Sequence, residues 1–268
     1  LFDRDIQKAR ENNQDYAFRV MCESGLKTKC PEWLIKKGAK GFWHAPRKSK
    51  DKNAPKTVWA PDYSDPVFLR AHERLIRALG EKYNGHPDLD HIDIGSVGLW
   101  GEWHRGGIDA PMPDWPTEKK IIDFYLKYFD KTNKVILIGN RNAMEYAVSN
   151  GCGWRADCLG DLGGFSPTWN HMEIGYPKLL AEADAYDMWK TAPVAFESCW
   201  DMRRWVQEGW DVEHIFNYGL DLHTSYLNNK SKPIPEGTRH HVEAFLRRIG
   251  YRYLVRNVEY PAACRPGE

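Results

Sequence analysis

No stretch of about 18 consecutive apolar residues occurs in the chain, so no membrane-spanning helix is expected. Charge of one sign is missing as well. The 38 basic and 37 acidic side chains leave a net charge of +1, which gives no electrostatic reason for a nucleic acid partner or an anionic membrane. No G-x-G-x-x-G follows the first strand-like run and there is no P-loop, which argues against a nucleotide-binding sheet. Neither H-x-H nor H-E-x-x-H is found. The six cysteines, at 22, 30, 152, 158, 199 and 264, lack the C-x-x-C spacing of a zinc site. No cofactor and no metal are therefore expected. Cys22/Cys30 and Cys152/Cys158 are near enough in sequence for small disulfide loops, with buried thiols as the alternative. An initiator Met and a leader segment are also lacking, so the chain reads as processed or excerpted.

Aromatic residues, by contrast, are abundant. Twelve Trp and thirteen Tyr exceed what a core of this size requires, and indole faces suit the C–H faces of sugars. A length of 268 residues allows one α/β barrel or two small domains.

Taken in order, 1–14 reads as a helix with Phe2, Ile6 and Ala9 on one face. Residues 16–21 read as a strand in which Arg19 interrupts an apolar run. A buried arginine requires an acidic partner, so Arg19 is expected to point into a polar cavity. The stretch 22–64 is an ordered excursion that caps a pocket, with a solvated Lys-rich tip over 47–56. A helix starts at Asp65-Pro66. Strands are then expected near 92, 135, 154, 193 and 219, separated by helices at 117, 143, 176–190 and 202–215, with a last helix over 236–249.

These six β/α units carry their polar and aromatic residues where each strand ends, which in a (β/α)₈ TIM barrel is the active-site face. The fold expected is thus an α/β (β/α)₈ TIM barrel lacking its first two strands in this chain. Residues 1–250 hold strands three to eight, and 251–268 begin a β-rich segment with Tyr251–Val255 as a strand.

The stretch His91-Ile-Asp-Ile-Gly-Ser-Val-Gly-Leu-Trp-Gly-Glu-Trp-His104 organises the rest. Ile92, Ile94 and Val97 make a short buried strand, and its exit presents Trp100, Glu102, Trp103 and His104. Glycines at 95, 98 and 101 let the chain bend and let a ligand come close. A carboxyl between two indoles is expected to have a raised pKa, as a general acid requires. The bland alternative is an aromatic core patch with Glu102 paired to an arginine. The strand at 193 repeats the pattern, running apolar up to Glu197 and on to Trp200.

The motif Gly98-Leu-Trp-Gly-Glu-Trp-His104, with Arg155-Ala-Asp157 and Phe196-Glu197, resembles clan A glycoside hydrolases, which include family 5 cellulases and family 42 β-galactosidases. It is also similar to a group of largely uncharacterised bacterial barrel proteins described as glycosidases. The resemblance implies Glu102 at the end of strand four as acid/base and Glu197 at the end of strand seven as nucleophile of a retaining enzyme. Where the clan has Asn before the acid/base, this chain has Gly101; Asn140 or His104 is expected to take the sugar hydroxyl instead. The clan's strand-eight Trp is replaced by His223 and Tyr226. Trp59, Trp103 and Trp200 are the candidate sugar platforms, and Arg19 and Asp157 line the cleft.

Two other classes compete. A carbohydrate-binding barrel without catalysis would hold its carboxyls far apart or pin both with arginines. A metal-dependent hydrolase would use His44, His104, His223 and Asp157. Export to the periplasm or beyond is expected, because large polysaccharides are cut there and disulfides form there.

Overall fold

The computed structural model describes residues 2–47, 55–250 and 257–259. The chain opens on α1 (Phe2–Glu11) and β1 (Tyr16–Arg19). The excursion that follows holds α2 (Glu32–Lys36) and an antiparallel hairpin, β2 (Gly41–His44) with β3 (Val58–Pro61). The Lys-rich tip lies mostly outside the described residues, as does the strand expected over 251–255.

Asp65 then starts α3 (Pro66–Tyr83), its carboxylate accepting the N–H groups of Val67 and Phe68. Phe68, Ile76 and Leu79 form the buried stripe of this helix. Burial of a side chain such as Ile76 stabilises by about 1.5–3 kcal/mol. The remaining units follow in order: β4 (Leu89–Asp93), α4 (Trp115–Tyr128), β5 (Asn133–Leu137), α5 (Arg141–Ser149), β6 (Gly153–Leu159), α6 (Tyr176–Glu182), β7 (Val194–Ser198), α7 (Met202–Gln207), α8 (Val212–Asp221), β8 (Tyr226–Asn228) and α9 (Arg239–Leu246).

Six strands form one parallel sheet in the order β1-β4-β5-β6-β7-β8. The sheet is curled into a half-barrel. Arg19 on β1 comes within 3.9 Å of Glu197 on β7, and the ring of His91 on β4 lies 5.6 Å from that of Tyr226 on β8. Among the described residues β1 and β8 are its open edges.

Some expected elements shift. Of the helix expected over 176–190, α6 covers only Tyr176–Glu182. The run at 219–226 is not one strand: Gly219, Leu220 and Asp221 end α8, and β8 begins only at Tyr226. Its apolar spacing fits a helix face as well as a buried strand, an ambiguity that short apolar runs always carry. Helix 202–215 is likewise two helices, α7 and α8, parted near Gly209 at φ +68°.

Candidate active site

The loop that carries Glu102 is held from three sides. β4 stops at Asp93, so Glu102 does not close the strand but lies on a compact turn beyond it. Within that turn Trp103 N–H donates to Val97 O at 3.0 Å and Leu99 N–H to His104 O at 2.8 Å. Gly101 sits at φ +76°, and a Cβ there would collide with the Gly95 carbonyl. These glycines let the chain pack on itself, where a close approach by ligand was expected.

The excursion after β1 braces the same turn. Glu23 O accepts from Trp100 N–H at 2.9 Å, and the Glu23 carboxylate pairs with Arg105 at 3.1 Å in full burial. Tyr63 Oη accepts from Gly98 N–H at 2.8 Å.

Arg19 finds the acidic partners its burial demands. Its Nε lies 3.0 Å from Asp93, its Nη1 3.6 Å from Glu102 and its Nη2 3.9 Å from Glu197. Arg155, on β6, is 3.3 Å from Asp93, 4.0 Å from Glu102 and 3.3 Å from Glu197, and it also pairs with Asp157. Lys230 Nζ is 3.0 Å from Glu197 Oε1, and Asn228 Nδ2 donates to Glu197 Oε2 at 3.3 Å. Four carboxyls thus meet two guanidiniums and one ammonium. With one carboxyl protonated, the cluster is electrically neutral.

Oxygen atoms of Glu102, Asp157 and Glu197 all lie within 4.8 Å of one another. Among the described residues they are the one group of three or more potential metal donors. The guanidiniums of Arg19 and Arg155 and the ammonium of Lys230 face these same carboxyls. His44, His104, His223 and Asp157 do not assemble as a metal-binding group.

The two carboxyls of the pair Glu102–Asp157 are pushed in opposite directions. Burial and the nearby Glu102 charge raise Asp157, with Arg155 opposing. Burial also pushes Glu102 up, but hydrogen bonds with His104 and Asp157 and the charges of Arg155 and Arg19 outweigh it, and Glu102 is held below its ordinary value. This corrects the expectation from its indole neighbours. Trp103 turns into the core, with Nε1 donating to Ile94 O at 2.8 Å, and polar groups face the carboxyl instead. Asp93 is raised, chiefly by burial.

Of the other residues singled out, His104 stays close, its Nε2 3.5 Å from Glu102. Tyr226 joins Arg19, His91, Asp93 and Glu197 in lining a pocket of about 210 Å³ at the open edge. Trp200 follows β7 and stacks with Phe165 at 4.9 Å, the Arg204 guanidinium 3.3 Å from its ring. Three are used elsewhere. Trp59 is 2% exposed in the hairpin, which leaves no face for a sugar. Asn140 caps α5 and donates to Glu118 at 2.6 Å. His223 stacks on Trp189 at 3.7 Å, near the start of β8 and away from the carboxyls.

Cys158 also departs from its expected partner. It follows Cys152 by six residues along extended β6, about 20 Å at the rise of a strand, far beyond disulfide reach. Its thiol meets Cys199 at the end of β7, while Cys22 and Cys30 adjoin each other, and all four stand as free thiols, the alternative to disulfide loops.

Asp93, Asn228 and Lys230 were not anticipated. Asp93 offered a signal, a charge within an apolar strand, as did Arg19. Asn228 and Lys230 were hidden by the misplaced last strand.

Similarity searches find no matching family model and no matching curated protein. Solved structures do match. Endo-glycoceramidase II from Rhodococcus sp. as its cellobiose-like imidazole complex aligns with a TM-score of 0.53 at 8% identity, covering 87% of this chain and 60% of that one. Its lactosyl-enzyme intermediate aligns with a TM-score of 0.51 at 9% identity over the same shares. What is shared is the fold. The glycoside hydrolase domain of PelA from Pseudomonas aeruginosa aligns at 0.48, with 7% identity over 84% of this chain and 82% of that domain. The chain spans 60% of the length of endo-glycoceramidase II.

Proposed function

We propose that this chain carries the catalytic face of a retaining glycoside hydrolase, with Glu102 as acid/base and Glu197 as nucleophile. One observation carries the reading: oxygens of the two glutamates lie within 4.8 Å. Retaining enzymes place their carboxyls about 5–5.5 Å apart and inverting ones about 6.5–9.5 Å. Endo-glycoceramidase II, solved as a lactosyl-enzyme intermediate and as a cellobiose-like imidazole complex, supports a carbohydrate substrate for a chain of the same fold.

In this mechanism Glu197 attacks the anomeric carbon while the glycosidic C–O bond breaks, and the leaving oxygen takes a proton from Glu102. The Glu102–Asp157 pair holds that single proton, which passes from Asp157 to Glu102 and on to the leaving oxygen as the bond breaks, leaving both carboxyls ionised and Glu102 free to act as the base. Water then attacks the glycosyl ester, giving its proton to Glu102 and releasing Glu197. Arg19, Arg155 and Lys230 balance the cluster before and after the ester forms, because the negative charge that Glu197 loses appears on the Glu102–Asp157 pair as its proton leaves.

A non-catalytic carbohydrate-binding barrel is the second reading, and the arginines favour it, since Arg19 and Arg155 both approach both glutamates within 4.0 Å. Assaying hydrolysis of oligosaccharides by the wild type and by Glu197→Gln separates the two. Catalysis predicts turnover that falls by several orders of magnitude in the variant; simple binding predicts no turnover in either.

Two further expectations belong with this reading. Two more β/α units between the open edges β1 and β8 would complete an eight-stranded barrel. Export to the periplasm or the exterior suits an enzyme of large polysaccharides and the two adjoining thiol pairs.

A further inference from the structure

Glu102 and Glu197 line different pockets. Glu197 faces the one at the open edge, with Arg19, Asp93 and Tyr226. Glu102 and Asp157 face a second, of about 270 Å³, between the exits of β5 and β6 and the loop before α6. This is just under the roughly 300–1,000 Å³ of drug-sized ligand sites, so the pocket suits a small ligand.

The second pocket has an aromatic wall with one usable face. Trp103 and Tyr176 both line it, but both are buried and their polar atoms are taken by Ile94 O and Asp157 O. Trp169 lines it too and is 40% exposed.

The indole is held in place from below. Asp161, 0% exposed, accepts N–H groups from Gly163 at 3.1 Å, Gly164 at 2.7 Å and His171 at 3.1 Å, and it holds His171 Nδ1 at 2.6 Å. The His171 ring so fixed meets Trp169 edge-on at 4.6 Å. Gly175 lies under the same indole, where a Cβ would stand 2.9 Å from Cζ2. Asn170 caps the π-helical turn His171–Gly175 that joins these parts. A platform immobilised before binding loses little entropy on binding.

We propose that this pocket is the subsite for the leaving-group sugar, with Trp169 as its stacking platform and His171 Nε2 as the partner of a ring hydroxyl. The assignment rests on the hydrolase reading above. The acid must touch the oxygen that departs, and the departing sugar is bonded to that oxygen. A pocket walled by the acid and not by the nucleophile therefore holds the leaving group. Indole faces bind the apolar C–H face of a pyranose, and the hydroxyl rim finds His171.

The test compares two leaving groups. Wild type is screened on a panel of α- and β-glycosyl fluorides of common hexoses and on the disaccharides that share each glycone and anomer. Wild type, Trp169→Ala and Trp169→Phe are then compared on the pair that reacts. Trp169→Ala is expected to lower kcat/KM on the disaccharide by roughly 10- to 100-fold and to leave the fluoride, which has no sugar to stack, within about twofold. Trp169→Phe is expected to recover most of the loss. Equal losses on both substrates, or none on either, overturn the subsite while leaving the hydrolase reading intact. Wild type inert on the whole panel overturns both.

Discussion

Asn140 Nδ2 donates to Glu118 Oε1 at 2.6 Å, tying the exit of β5 to the first turn of α4. Glu118 is 4% exposed, and burial pushes its carboxyl up to about 7, with the Asn140 hydrogen bond opposing.

The sign of the consequence follows from linkage. A carboxyl whose folded pKa is raised contributes stability below its unfolded value near 4.5, and that contribution is lost as pH rises to about 7. The loss is on the order of 3 kcal/mol. Glu118→Gln keeps the acceptor for Asn140 and removes the titration. The variant is expected to match wild type in thermal stability at pH 4 and to exceed it at pH 8. Parallel Tm–pH curves would contradict this.

Asp157 supplies a second test, through the pH profile of activity. Burial and Glu102 raise Asp157, while Glu102 itself is held low by hydrogen bonds with His104 and Asp157 and by Arg155 and Arg19. In Asp157→Asn the proton can reside only on Glu102, among two guanidiniums. The basic limb of kcat/KM should then move to lower pH. An unmoved limb would show that Asp157 does not share the acid's proton.

Much of this site was legible in the sequence. Arg19, Glu102, Asp157 and Glu197 each stand where a charge interrupts or ends an apolar run, and burial forces such charges to converge on one another. The order of strands in a parallel α/β sheet brings their exits to one rim, which is why residues so far apart in sequence meet. Environment was less legible. Neighbours in sequence suggested an apolar setting for Glu102, yet positive φ at Trp100, Gly101 and Trp103 turns Trp103 inward and leaves the carboxyl among charges. Trp59 shows the same limit, since exposure of an indole depends on what packs over it. Trp169 was passed over because the loop that presents it has no periodicity to read.

The cysteines test the compartment. Cys22 adjoins Cys30 and Cys158 adjoins Cys199. Protein recovered from an exporting host, alkylated unreduced and digested, is expected to yield Cys22–Cys30 and Cys158–Cys199 linked peptides. Alkylation of all four without reductant would argue against an oxidising compartment.

Leaving-group dependence separates the roles of the two glutamates. Glu102→Gln should slow glycosides with poor leaving groups far more than aryl glycosides with good ones, because only the former need a delivered proton. Azide should rescue Glu102→Ala on the aryl substrates by attacking the glycosyl intermediate without a base. Equal losses across leaving groups would remove Glu102 from the acid role.

The covalent intermediate tests the central assignment most directly. Protein is incubated with the 2-deoxy-2-fluoro analogue of the glycosyl fluoride it turns over, digested and mapped by mass spectrometry. The account predicts one glycosyl group, esterified to Glu197. A label on Asp157 or Glu102, or an unlabelled protein that goes on hydrolysing its normal substrate in the presence of the analogue, would contradict it.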